Sequence, residues 1–153
     1  MAEAKVLVVG ATGHLGSVIT RKLLSARTPV RALARNAEKL AALGRDGAEV
    51  TAVDLRNVAK TTEACRGITQ IIATANNNMG KGETSPTRID LSAYQNLCAA
   101  ARNAGVKRLI YVSFRGVDHH FAKPLSFHRL DADVVVADRL RVHQAADDQA
   151  GAS

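Results

Sequence analysis

The sequence predicts an α/β protein, a doubly wound parallel sheet of strand order 3-2-1-4-5, and three observations carry that prediction. Val6-Leu7-Val8-Val9 is an unbroken apolar run, mostly β-branched, as expected of a strand buried on both faces. Gly10, Gly13 and Gly16 follow at a G-x-x-G-x-x-G spacing, and from Leu15 the apolar positions take a helical period through Val18, Ile19 and Leu23. Beyond them, short apolar runs alternate with helical patterns as far as Val112. That alternation calls for parallel strands joined by right-handed crossovers.

Taken in order, Val30 to Ala34 is the second strand, ending at Arg35. Glu38 to Leu43 is a short helix that Gly44 and Gly47 should stop. Glu49 to Val53 alternates as a third strand and ends at Asp54-Leu55. Asn57 caps a helix to about Cys65, closed by Gly67. Ile68 to Ala75 is the fourth strand. Ser85-Pro86 is an N-cap followed by a first-turn proline; it opens a helix bearing Ile89, Tyr94, Leu97, Cys98 and Ala101, which Gly105 ends. Leu109 to Val112 is the fifth strand, ending at Ser113.

The first turn carries the chemistry. A strand that turns through glycines into a helix aims backbone N–H groups and the positive helix end at one point, which suits a phosphate. Gly10 permits the tight turn, Gly13 lets a pyrophosphate approach the backbone, and Gly16 lets the helix pack closely on the strand. About 20 residues beyond the glycines an acid reads a free ribose 2′-hydroxyl, whereas an arginine accommodates a 2′-phosphate. Arg35 stands there, so NADP(H) is expected over NAD(H). The plainer alternatives are a glycine-rich strand–helix turn and a solvated charge at a strand end.

Composition narrows the classes. The chain has 153 residues, enough for one domain with a core, at 46% hydrophobic and 23% charged content. Aromatics are only 3% and Trp is absent, so the core must be built from Ala, Val, Leu and Ile. The net charge of +7 invites a nucleic-acid reading, but the basic residues are scattered and not interleaved with stacking aromatics, which argues against one. No apolar run could span a bilayer, and Met1 to Lys5 lacks the shape of a signal peptide, so a cytoplasmic protein is expected. Cys65 and Cys98 suggest neither a disulfide framework nor a zinc site; His119-His120 reads as a surface loop.

The GATGHLG turn, ALAR at the end of the second strand, VDL after the third and AGVKRLIYVS on the fifth resemble an atypical short-chain dehydrogenase/reductase, most closely the NmrA-like, NAD(P)H-binding branch. The resemblance covers Lys5 to about Val117 and implies a Rossmann-type domain over residues 1–117. Carried over by position, it assigns the pyrophosphate to Gly10, Thr12, Gly13, His14, Leu15 and Gly16, and the 2′-phosphate to Arg35. Asp54 and Leu55 would border the adenine; Ala73, Thr74 and Ala75 would line the nicotinamide side. It further implies a homodimer formed through a helix face.

Two departures bear on activity. The family's proton donor is a tyrosine with a lysine four residues on, the lysine lowering the phenol's pKa. Here Tyr111 is followed at that distance by Arg115, and Tyr94 by Cys98, which leaves Ser113 as the family-placed polar group near a reacting carbon. A strand-end serine that caps the next element is an equal reading. Residues 118–153 read as a divergent or truncated tail, with a sixth or edge strand near 134–137 and no substrate-covering lobe. A genuinely short cofactor-binding chain, and a chain shortened or out of frame after about Val117, both fit. The expected function is therefore an NADPH-dependent oxidoreductase acting on a small carbonyl or quinone-like substrate; a non-catalytic NADP(H) sensor that binds a protein partner, or an inactive fragment, is the alternative.

Overall fold

A computed structural model describes residues 4–75, 86–114 and 132–137, with backbone alone at 86–91, 113–114 and 132–137. The elements in chain order are β1 (Val6–Val9), α1 (His14–Ser25), β2 (Val30–Ala34), α2 (Ala37–Arg45), β3 (Glu49–Ala52), α3 (Val58–Ala64), β4 (Gln70–Ala73), α4 (Pro86–Asn103), β5 (Arg108–Phe114) and β6 (Ala132–Ala137). The sheet order is β3-β2-β1-β4-β5-β6. The first five strands pair in parallel, giving the expected 3-2-1-4-5. β6 lies antiparallel on β5, pairing Leu109 with Ala137 at one end and Phe114 with Ala132 at the other.

The period of two along β1 divides the core between the faces of the sheet. Leu7 and Val9 join Leu33, Ile71, Leu97, Ala101 and Leu109 in one cluster, which α3 and α4 cover. Val6 and Val8 join Val30, Ala32, Leu40 and Leu43 in the other, with Ile19, Leu23 and Leu24 of α1 packed against it. All four residues of β1 are buried, so a strand with no polar face suits the centre of a sheet covered on both sides. The core is aliphatic, as the lack of aromatics requires. Truncating a residue such as Leu7 or Leu97 to Ala should cost about 2–5 kcal/mol.

Several boundaries differ from the sequence reading for local reasons. Gly44 does not stop α2; it lies inside the helix, which runs to Arg45. A glycine in a helix weakens it by about 1 kcal/mol without ending it. Termination comes at Gly47, whose φ of +105° lets Gly47 N–H donate to Gly44 O and Ala48 N–H donate to Leu43 O. The face of α1 is also rotated from the apolar pattern: Leu15 and Val18 are each 41% exposed, while Gly16 and Thr20 are buried. Small residues face inward there because the helix lies too close to the chain beneath it for leucine. The buried Thr20 hydroxyl donates to Gly16 O at 2.8 Å.

β4 occupies only Gln70–Ala73 of the run from Ile68 to Ala75, although Thr69 N–H and Thr74 N–H still donate to Lys5 O and Val9 O on either side of it. β3 is confirmed but lies at the sheet edge, with Val50 exposed. β5 extends beyond the expected Leu109–Val112 to pair along β6. Asn36 and Asn57 cap α2 and α3 by accepting from Lys39 N–H and Lys60 N–H, each at 3.0 Å. Ser85 and the 118–131 stretch, with His119 and His120, lie outside the described residues, as does 138–153. Among the described residues no helix is long and apolar enough to cross a membrane.

Cys65 is 0% exposed and burial pushes its thiol pKa up to about 11. At pH 8 the thiolate is then roughly a thousandth of that thiol, so a thiol-specific dye should leave Cys65 unlabelled in the native protein and label it within minutes in denaturant. Rapid native labelling at Cys65, read by peptide mass mapping, would contradict this packing.

Candidate functional site

The sheet places one cleft at the carboxyl ends of β1 to β4, where strand order reverses between β1 and β4. It has a volume of about 290 Å³. Its floor is the turn after β1. Gly10 has φ +79°, and the N–H groups of Gly10 and Ala11 both donate to Leu33 O, at 2.9 and 3.1 Å. Gly13 N–H returns to Gly10 O at 3.1 Å, closing the turn that launches α1.

The three glycines serve different purposes. A Cβ at Gly10 would sit 2.7 Å from Ala75 N, and one at Gly16 only 2.1 Å from Gly10 O and 2.9 Å from Thr74 Oγ1. Gly16 therefore lets α1 close onto the turn itself and the end of β4, a tighter contact than packing on the strand. At Gly13 the nearest atom to an added Cβ is Gly10 O at 3.3 Å. That contact is tight but far less severe than those at Gly10 and Gly16, and Gly13 itself lines the cleft. Gly13 is also the N-cap of α1, and no side chain caps that helix end or places an acid in its first turn. This uncapped, glycine-faced cradle fits the pyrophosphate of a dinucleotide.

The rest of the rim is held by side chains. Thr74 Oγ1 donates to Val9 O at 2.9 Å, tying β4 to the glycine turn. The Tyr94 hydroxyl of α4 donates to Ala75 O, and its ring meets Tyr111 edge-on with centroids 4.8 Å apart. Asn96 Nδ2 donates to Leu55 O at 3.0 Å, so α4 secures the loop after β3 as well as the end of β4.

At the β2 and β3 ends of the cleft, Val53 N–H donates to Ala34 O, carrying the β2–β3 ladder one step past β3. Arg35 and Asp54 thus leave adjacent strand ends together. Arg35 is exposed and makes no hydrogen bond or ion pair among the described residues. Asp54 is clasped by Arg56: Nε donates at 3.0 and 3.1 Å to its two oxygens, Nη2 at 2.5 Å, and the Arg56 N–H at 2.9 Å. Those bonds from the Arg56 side chain hold the Asp54 carboxyl down at about 2, with Arg35 adding a weaker pull.

Of the residues expected at the site, Gly10, Thr12, Gly13, Arg35, Asp54, Leu55, Thr74 and Ala75 line this cleft. Gly16 and Ala73 are buried beneath it, and His14 and Leu15 stand exposed on the first turn of α1 outside the lining. The stretch 76–78 lies outside the described residues, as does the side chain of Ser113, whose backbone pairs with Asp133. The sequence reading missed Arg56, Tyr94 and Ala93 as lining groups. Arg56 immediately follows Asp54-Leu55, and Tyr94 lacks the lysine four residues on that would mark a catalytic tyrosine. Among the described residues no cluster of three or more His, Cys, Asp or Glu could hold a metal ion.

A family model described as NAD(P)H-binding matches residues 10–153. The chain is 32% identical over 105 residues to an NAD(P)H azoreductase of Xenophilus azovorans, which covers 69% of this chain and 34% of that one. It is 32% identical over 123 residues to the photosystem II assembly factor Ycf39 of Cyanophora paradoxa, covering 78% and 37%. Among solved structures it is similar to the NADPH-dependent quinone oxidoreductase of Escherichia coli complexed with NADPH, at a TM-score of 0.59 and 27% identity, covering 74% and 38%. The chain thus spans about a third of the length of these curated relatives.

The glycine geometry separates fold from ligand. Gly16→Ala must push the turn aside and should lower stability by about 2–4 kcal/mol. Gly13→Ala should cost only about 1 kcal/mol, mostly the loss of a preferred N-cap residue. Denaturant melts of both variants check this; equal losses would show that Gly13 is packed as tightly as Gly16.

Proposed function

The chain belongs to the NAD(P)H-binding family, within the atypical short-chain dehydrogenase/reductases, and on that premise we propose that it grips NADP(H) for reduction of a small carbonyl or quinone-like substrate. The observation that carries this reading is the glycine turn at the uncapped start of α1, where Gly13 lines the cleft and is less crowded than Gly10 and Gly16. Gly10, Thr12, Gly13 and the N–H groups at the start of α1, with His14 and Leu15, receive the pyrophosphate. Gly16 sets how close α1 lies. Arg35 meets the 2′-phosphate with a guanidinium that is exposed and makes no hydrogen bond among the described residues. Asp54 and Leu55 border the adenine, held in place by Asn96.

Bound there, a nicotinamide ring supplies the hydride. The chain's part is to orient that ring against Thr74 and Ala75, held by the hydrogen bonds of Thr74 and Tyr94, with Ala73 buried beneath them. Ser113, at the far end of β5, is the proposed proton-handling group. A quinone-like acceptor suits such a site, because general acid help matters less when the product is a stabilised phenolate. Residues 1–117 carry the cofactor site in this reading, and residues 118–153 a divergent tail.

One observation favours the non-catalytic alternative. Tyr94, the tyrosine in the cleft, donates its proton to a backbone carbonyl and so acts as a tie rather than a donor to substrate. A relative named as an assembly factor accords with a cofactor-sensing chain that presents a surface to a protein.

NADPH at a hundredfold its Kd should stabilise the chain by about 2.7 kcal/mol, read as a raised melting temperature. Arg35→Ala should weaken NADPH binding about 10- to 100-fold and NADH binding little. NADPH oxidation with any of a panel of quinones, azo dyes and carbonyls supports the reductase; tight NADPH binding with no turnover favours the sensor. No shift with either coenzyme would reject both.

A further inference from the structure

The rim that faces the adenosine ribose contains an electrostatic conflict, and Arg56 resolves it. Asp54 is the only acid among the described residues that line the cleft. It leaves its strand end beside Arg35, since Ala34 pairs with Ala52 and Val53 N–H bonds to Ala34 O. A carboxylate there repels a 2′-phosphate and weakens the pull of Arg35 on it. Arg56, two residues on, turns back and places Nε and Nη2 on that carboxylate, while its own N–H closes the same short turn. The guanidinium is about half exposed, with 53% of its side-chain surface accessible, and still lines the cleft. Paired in this way, it cancels the acid without leaving the rim.

From this geometry we infer that Arg56 is a specificity-determining residue: by pairing with Asp54 it neutralises the acid on the rim and leaves Arg35 free to select the phosphorylated ribose. This rests on the dinucleotide reading and deepens it, dividing two cations by task. Arg35, without a partner among the described residues, contacts the phosphate. Arg56 is a positioning residue that acts through Asp54. With both arginines the rim carries two cations against one anion; without Arg56 the charges balance and the preference for a 2′-phosphate falls.

The test measures binding of two probes that differ only in the 2′-phosphate, adenosine 2′,5′-bisphosphate and 5′-AMP, to the full chain by calorimetry. The ratio of their dissociation constants reports recognition of that phosphate, and a purely structural role for Arg56 would move both constants together. Arg56→Ala should lower the ratio about fivefold, the scale of one unit charge acting across a solvated rim. Arg56→Lys, which keeps the charge, should hold the ratio within about twofold. Asp54→Asn/Arg56→Ala should restore it, because asparagine keeps an oxygen for the Arg56 N–H position and removes the acid. If Arg56→Ala and the double variant lose the ratio equally, Arg56 touches the phosphate itself and the compensation idea fails. If Arg56→Ala leaves the ratio intact while Arg35→Ala abolishes it, the inference fails and the cofactor reading stands. If the unaltered chain binds neither probe, both fall.

Discussion

The structure turns on one close approach. Gly16 on α1 comes so near the Gly10 carbonyl that a methyl group would overlap it, and Gly10 in turn abuts Ala75 and Thr74 at the end of β4. The β1 turn and the start of α1 meet the sequence-distant end of β4 there, with Thr74 Oγ1 packed among them. The contact fixes where the N-terminus of α1 points, and it brings the β1 turn and the β4 end to the same cleft. A few tenths of an ångström lost at this point would move the helix end away from any anion it holds, and electrostatic recognition by backbone N–H groups falls off quickly with distance and angle.

Around that fixed point the cleft is held mainly by one helix. α4 sends Tyr94 to Ala75 and Asn96 to Leu55, so the two lips of the cleft, which belong to different strand ends, share a single support. Leu97 and Ala101, on the same helix, are fully buried beneath the sheet and give that support its rigidity. Polar ties at the top of a helix that is anchored below by apolar packing make a firmer site than loops bonded only to each other. Electrostatics then divide the cleft. The glycine turn offers backbone N–H groups, whereas the rim at the β2 and β3 ends carries charge, with Arg35 exposed and Asp54 held ionised far below neutral pH by Arg56.

Much of this was legible in the residues. The buried β1, the glycine spacing and the strand order follow from patterns that local sterics and face coverage impose, and Arg35 stands where the second strand must end. What escaped was set by tertiary geometry. The α1 face was misjudged because apolar periodicity marks Leu15 and Val18, whereas the close approach at Gly16 admits only small residues on the inward side. Gly44 was taken for a stop because composition cannot show φ; Gly47, in the left-handed region, ends that helix. Tyr94 was sought as a catalytic group with a lysine partner, while its bond to Ala75 arises only when α4 and β4 pack. Arg56 was overlooked because a pair two residues apart on a loop has no periodicity to betray it.

Binding and chemistry are separable in this architecture. Every described residue that lines the cleft lies between Val9 and Tyr94, on β1 to β4, their loops and α4. The groups that handle a substrate's proton in this family are expected from β5 onward, and neither cleft-facing tie found here, Thr74 nor Tyr94, has a proton directed at a ligand. The grip on a cofactor therefore does not depend on how the rest of the chain completes a substrate pocket. An intact cradle is compatible with a reductase whose acceptor needs little acid assistance and with a sensor that only registers the coenzyme. What distinguishes them, on the proposed reading, is whether an acceptor can lie against a nicotinamide ring beside Ala75.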